Sequence, residues 1–142
     1  MQRVVVYCRV STAMQSNNGH SLGQQESACR AYVQLQKRRL QDGFSLNIWK
    51  ETTSGSIDFA KREIGRSIFG LLKSGDWLVC SRLDRCFRSA KDCLWVVDEL
   101  KKRGVEVHLL DLQVGELGCC VTNGIGHMFM TIMSAVAQFE RE

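Results

Sequence analysis

The sequence predicts an α/β domain on a mainly parallel central sheet with helices on both faces, and three observations carry that expectation. Short Val-rich apolar runs alternate with longer stretches whose apolar residues recur at helical spacing. Glycines stand where each helix would hand over to a strand, at Gly43, Gly75 and Gly104. The chain has 142 residues, 44% of them hydrophobic, enough for one domain with a buried core.

Four strands are expected: residues 3–8, the Leu-Asn-Ile-Trp run at 46–49, Trp-Leu-Val-Cys at 77–80 and Val-Glu-Val-His-Leu-Leu at 105–110. Three helices lie between them. The first runs from Ser21 to about Leu40, with apolar marks at Leu22, Ala28, Cys29, Tyr32 and Leu35. The second runs from Arg62 to Lys73 on Ile64, Ile68, Leu71 and Leu72. The third runs from Ser89 to Arg103 on Ala90, Cys93, Leu94, Val97 and Leu100, with the Ser89 hydroxyl as its cap. Proline is absent, and no repeat or low-complexity tract interrupts the pattern.

The last segment differs from the rest. From Gly126 through Phe139 it reads as a helix apolar on more than one side, followed by Glu140-Arg141-Glu142 with no cap or breaker. Such a helix needs cover, which either self-association or burial in the core would supply, and the residues alone leave both open. The expected organisation is therefore one domain over 1–125 and, over 126–142, the start of a long C-terminal helix that is cut within its length.

Net charge is +4, with Arg outnumbering Lys. That balance allows a polyanionic partner without requiring one, and Arg suits paired hydrogen bonds to phosphate. The seven cysteines form no CxxC and show no metal-ligand spacing with His20, His108 or His127, so a reduced, cytoplasmic chain without a metal is expected. Cys8, Cys80 and Cys93 fit small buried hydrophobes; the Cys119-Cys120 pair has no evident role. No leader is apparent, and the apolar runs fall short of the roughly 18–20 residues of a membrane span.

In parallel α/β sheets, ligands gather at the carboxyl ends of the strands, where Arg9 and Ser11 follow the first strand and Arg82, Asp84 and Arg85 follow the third. Ser11 has no neighbouring histidine and no GxSxG elbow, which disfavours a Ser-His-Asp hydrolase. Arg9 beside it suits phosphoryl transfer, because a guanidinium stabilises charge building on an attacked phosphodiester. A strand-end turn or helix cap would use the same serine. In Ser-Arg-Leu-Asp-Arg-Cys-Phe-Arg-Ser, residues 81–89, Arg85, Arg88 and Asp84 can share one face, as a phosphate site with a proton-transferring carboxylate or as a solvated salt-bridged loop. No GxxxxGK[ST] loop is present.

Five segments in order, YCRVST, SLGQQ, TSGS, GDWLVCSRLDRCFRS and MTIMSAVAQFERE, resemble the serine recombinases of the resolvase and invertase family over about Arg3 to Glu142. The resemblance implies a resolvase-like catalytic domain of a site-specific DNA recombinase. It implies Ser11 as the nucleophile that forms a 5′-phosphoserine link to DNA and frees a 3′-hydroxyl. Arg9, Arg85 and Arg88 would bind the phosphate, and Asp84 would transfer a proton or orient the arginines. Arg62 would be a further substrate-binding arginine, with Gln25, Glu140 and Arg141 as supporting polar positions. No cofactor or metal is implied, since the phosphoserine ester conserves the bond energy.

The final helix would, by the same resemblance, begin the dimerisation helix of a homodimer that assembles to a tetramer on its recombination-site DNA. The stretch Ala-Met-Gln-Ser-Asn-Asn-Gly-His at 13–20 is longer than in compact resolvases and resembles the larger transposon and phage enzymes. The alternative is a resolvase-like module that binds DNA or assembles without cutting, against which the intact Ser11, Arg9, Asp84, Arg85 and Arg88 argue. Arg9, at a strand end, is expected to be partly exposed, so that Arg9→Ala would impair cleavage far more than folding.

Overall fold

A computed structural model describes residues 1–11, 21–112, 120–122 and 124–140. Four strands form one parallel sheet: β1 (Arg3–Val10), β2 (Ser45–Thr52), β3 (Trp77–Cys80) and β4 (Glu106–Leu109), in the order β2-β1-β3-β4. The helices are α1 (Leu22–Leu35), α2 (Glu63–Leu71), the single turn α3 (Leu83–Cys86), α4 (Ala90–Lys102) and α5 (Gly124–Glu140). The expected α/β class, the four strands and the parallel pairing are all present. The insertion at 13–20 and Cys119 lie outside the described residues.

Period-two alternation divides β1 between two cores. Val4, Val6 and Cys8 pack with Cys29, Tyr32 and Val33 of α1, together with Trp77 and Val79. Val5 and Tyr7 pack on the opposite side with Ile68 of α2, Cys93, Val96, Val97 and other residues. Both faces of the sheet are thus covered, which is why every β1 residue from Val4 to Val10 is buried. Gly43, Gly75 and Gly104 all have positive φ, between 81° and 92°, as the helix-to-strand joints require.

Several boundaries differ from the sequence expectation. Helix α1 stops at Leu35, which is 80% exposed, and a 3₁₀ turn over Lys37–Arg39 follows. This turn redirects the chain so that Leu40, in extended conformation, returns to the core beneath β2. Ser21 caps α1 through a reciprocal capping box with Gln24, and Ser89 Oγ accepts from Asp92 N to cap α4. Asp76 fixes the start of β1 from the neighbouring joint, accepting from Arg3 N at 2.9 Å and from Lys73 N at 2.9 Å.

Helix α5 packs against α4. Ala137 is buried, whereas Met128, Ile132, Val136 and Phe139 are 58%, 52%, 41% and 79% exposed. These four follow helical spacing and make an apolar stripe that the described residues of this chain leave uncovered. No helix among the described residues is long and apolar enough to cross a membrane.

Candidate active site

Ser11 lies one residue beyond β1, half-buried, on the carboxyl rim of the sheet. What fixes it there is the peptide of Arg9. Gln25 of α1, 2% exposed, accepts from Arg9 N through Oε1 at 3.0 Å and donates from Nε2 to Arg9 O at 2.9 Å. A side-chain amide reproduces the donor-and-acceptor pair of a neighbouring strand, so the β1 terminus is held where α1 begins.

The Arg9 guanidinium runs inward instead of toward solvent. It is 4% exposed, and its Nε, Nη1 and Nη2 donate to the carbonyls of Arg85, Thr53 and Asp84 at 3.0, 2.9 and 3.1 Å. The expected partial exposure of Arg9 is therefore wrong. The strand-end position allows exposure, but the backbone carbonyls of α3 and of the segment after β2 fold over it. Gly55 of the TSGS segment completes the enclosure, since a Cβ at this position would stand 3.1 Å from Arg9 Nη2.

Arg62 lies deeper still, at 1% exposure. Its Nε donates to Ile57 O at 2.9 Å, and Nη1 reaches Cys86 O at 2.9 Å, Tyr7 Oη at 3.2 Å and Arg85 O at 3.3 Å. Arg62 Nη2 is buried and has no hydrogen-bond partner among the described residues. Tyr7 passes the connection on, donating to Glu51 Oε1 at 2.8 Å, while Glu51 Oε2 accepts from Ile64 N at 2.8 Å. The Arg85 carbonyl thus receives bonds from both Arg9 and Arg62, and α3 is pinned to the end of β1 by two guanidiniums.

Arg85 is itself buried at 4% exposure. Burial foremost, and then the like charge of Arg62, pushes Arg9 below its ordinary value, with Arg85 adding to the shift and Tyr7 and Asp84 opposing it. Arg9 nonetheless remains a cation at neutral pH. Positive charge concentrated in a poorly solvated rim is an electrostatic situation that an anion relieves.

Two groups face outward. Asp84 has a side chain 61% exposed and pairs with Arg82 at 3.3 Å. Arg88, 55% exposed, approaches Asp58 at 3.6 Å. Asp92 of α4 holds the backbone beneath Arg88, its Oδ2 accepting from Arg88 N at 2.8 Å and from Phe59 N at 3.1 Å. Burial raises the Asp92 carboxyl above its usual range, and the two peptide N–H groups oppose that shift. An open cleft of about 600 Å³ lies alongside, lined by Asp58, Lys61, Arg88, Lys91 and Trp95 among others.

The fold therefore brings Arg9, Arg62, Arg85 and Asp84 to the rim that carries Ser11, with Arg88 at its outer side. Glu140 ends α5, with a side chain outside the described atoms, and Arg141 lies outside the described residues. Tyr7, Glu51 and Asp92 were not expected at the site. Glu51 could have been suspected, since a carboxylate in the strand opposite Arg9 must find partners when buried.

Residues 4–142 match the family described as resolvase, N-terminal domain. The chain belongs to the resolvase family. Among curated relatives of this resolvase domain, serine recombinase PinR of Escherichia coli K12 is 32% identical over the whole of this chain and 64% of its own length. The transposon Tn2501 resolvase of Escherichia coli is likewise 32% identical, over 65% of its length. The chain thus spans just under two thirds of these relatives. Among solved structures, the N-terminal catalytic domain of TP901-1 integrase superposes with a TM-score of 0.74 at 23% identity, covering 98% of this chain and 96% of that one. A resolvase family site-specific recombinase from Streptococcus pneumoniae gives 0.71 at 22% identity, over 99% and 89%. Both share the resolvase fold.

Proposed function

We propose that this domain is the catalytic part of a serine site-specific DNA recombinase. Ser11 Oγ gives up its proton and attacks a backbone phosphorus, forming the phosphoserine ester as the bond from phosphorus to the 3′-oxygen breaks and that oxygen takes up a proton to leave as a 3′-hydroxyl. Attack by a 3′-hydroxyl on the ester reverses the step in a new pairing, so cleavage and rejoining balance without a cofactor. The observation that carries this reading is the convergence of the buried Arg9 and Arg62 guanidiniums on the Arg85 carbonyl at the strand end that presents Ser11, with the charge of buried Arg85 acting on Arg9.

In this reading Arg9, Arg85 and Arg88 stabilise charge on the phosphate oxygens, and exposed Asp84 transfers a proton or orients the arginines. Arg62 and Gln25 position them, through the Arg85 carbonyl and the Arg9 peptide respectively, with Glu140 and Arg141 as supporting polar groups. Arg9 gives all three of its nitrogens to carbonyls, so phosphate must replace some of these acceptors as α3 loosens. The uncovered stripe of α5 fits a homodimer seam, and dimers would pair into a tetramer on DNA.

The complete engagement of Arg9 also favours a second reading, a module that assembles on DNA without cutting it. Incubating the full-length gene product with its candidate recombination-site DNA separates the two. A denaturing gel and mass spectrometry should find DNA on Ser11 and none in Ser11→Ala. A folded, DNA-bound, assembled protein without any adduct would leave the non-cutting module.

A further inference from the structure

Away from the Ser11 rim, the edge strand β4 carries Glu106 and His108 on one face, and residue 120 returns beside them as an isolated antiparallel bridge, His108 opposite Cys120. The return is held by Val121 N donating to Val107 O at 2.8 Å and by Val107 N donating to Thr122 Oγ1 at 3.3 Å. Three different donor atoms thereby converge: His108 Nε2 lies 3.0 Å from Glu106 Oε1, Cys120 Sγ lies 3.5 Å from the same oxygen, and all three fall within 4.8 Å of one another.

We propose that Glu106, His108 and Cys120 form a three-residue zinc site that clips the segment leading into α5 onto the sheet edge. Zinc takes nitrogen, oxygen and thiolate ligands at about 2.0–2.3 Å, which in a tetrahedron places them roughly 3.3–3.7 Å apart, close to the two spacings that Glu106 Oε1 makes with His108 and Cys120. The mixed set excludes magnesium and calcium, which select all-oxygen shells. A water completes the fourth position.

The surroundings supply the outer contacts that zinc histidines use. Tyr32 Oη of α1 pairs with His108 Nδ1 at 2.5 Å, and the imidazole stacks on Trp77 with centroids 4.1 Å apart. On binding, Nε2 gives its lone pair to zinc while Nδ1–H donates to Tyr32, and the Cys120 thiol releases its proton to solvent. Arg39, half-exposed, pairs with Glu106 Oε1 at 3.0 Å and lies over the Trp77 ring, so it can leave that oxygen and keep its place on the indole. Register separates this cluster from the rim: His108 lies opposite Val79 and Val79 opposite Val6, about 10 Å short of Arg9 along the strand and two strands across. The site thus stands independently of the reaction at Ser11.

Metal-stripped protein of this chain, kept reduced, is titrated with Zn²⁺ and separately with Co²⁺. One zinc per folded chain by elemental analysis after dialysis is expected, along with a near-ultraviolet thiolate-to-cobalt absorption. Cys120→Ser should abolish that band, Cys119→Ser should retain it, and Glu106→Gln and Tyr32→Phe should each weaken zinc at least tenfold. Circular dichroism verifies that each variant is folded, and His108, wholly enclosed, is left intact. No stoichiometric zinc on the folded wild-type chain, or a cobalt band that survives Cys120→Ser, would overturn the site and leave a hydrogen-bonded triad.

Discussion

The side-chain amide of Gln25 grips both polar atoms of the Arg9 peptide, accepting from its nitrogen at 3.0 Å and donating to its oxygen at 2.9 Å. Helix α1 and the end of β1 therefore move as one unit, and Ser11 inherits its position from a residue that never has to touch the substrate.

Gln25→Leu keeps the volume and deletes both bonds, leaving a buried N–H and C=O without partners. A loss of about 2–4 kcal/mol is expected in denaturant unfolding. Formation of the Ser11 adduct should fall in parallel at temperatures where the variant is still folded. A variant as stable as wild type would show that water replaces the amide.

Arg9→Ala removes the donors that three carbonyls share, although Arg85 O keeps its bond from Arg62. A loss of about 3 kcal/mol or more is expected, against less than about 0.5 kcal/mol for Ser11→Ala. Stability and cleavage should thus separate cleanly at Ser11 and not at Arg9. Urea unfolding of the two variants side by side tests it.

Two glycines of α2 should answer oppositely to alanine. At Gly65 a Cβ would stand 2.1 Å from Phe59 O, which no side-chain shift relieves, whereas Gly70 has open space. Gly65→Ala should cost several kcal/mol by displacing the turn that precedes Arg62. Gly70→Ala should be neutral or stabilise by up to about 1 kcal/mol through helix propensity. Thermal melting distinguishes them.

Burial pushes the Cys8 thiol up to about 11. In the unfolded chain the thiol ionises nearer 9, so above that pH the unfolded state releases its proton first and stability falls with rising pH. This contribution is fully present below pH 9 and is lost as pH rises through 11, at up to about 1.4 kcal/mol per pH unit. Unfolding curves at pH 8, 9.5 and 11 should therefore converge between wild type and Cys8→Ala. Parallel alkaline losses in the two proteins would contradict the assignment.

The sequence by itself determined the sheet and its order of secondary elements, because period-two and helical apolar spacing, glycines at the joints and serine caps are local physics. Trp77–Cys80 forms the third strand as predicted, and Ser89 caps α4. The rim was legible too, since parallel strands must deliver Ser11, Arg9 and the 82–88 segment to their carboxyl ends. Tertiary structure alone decided the inward direction of Arg9, the burial of Arg62 and the pairing of Arg39 with Glu106. Each depends on backbone carbonyls or side chains brought from distant segments, which no local spacing encodes. For the same reason the sequence spacing of the cysteines and histidines gave no metal pattern, while the return of Cys120 across β4 sets a sulfur, an imidazole and a carboxylate together. Long-range hydrogen bonds fix where a charge points, and they exist only once the chain has closed on itself.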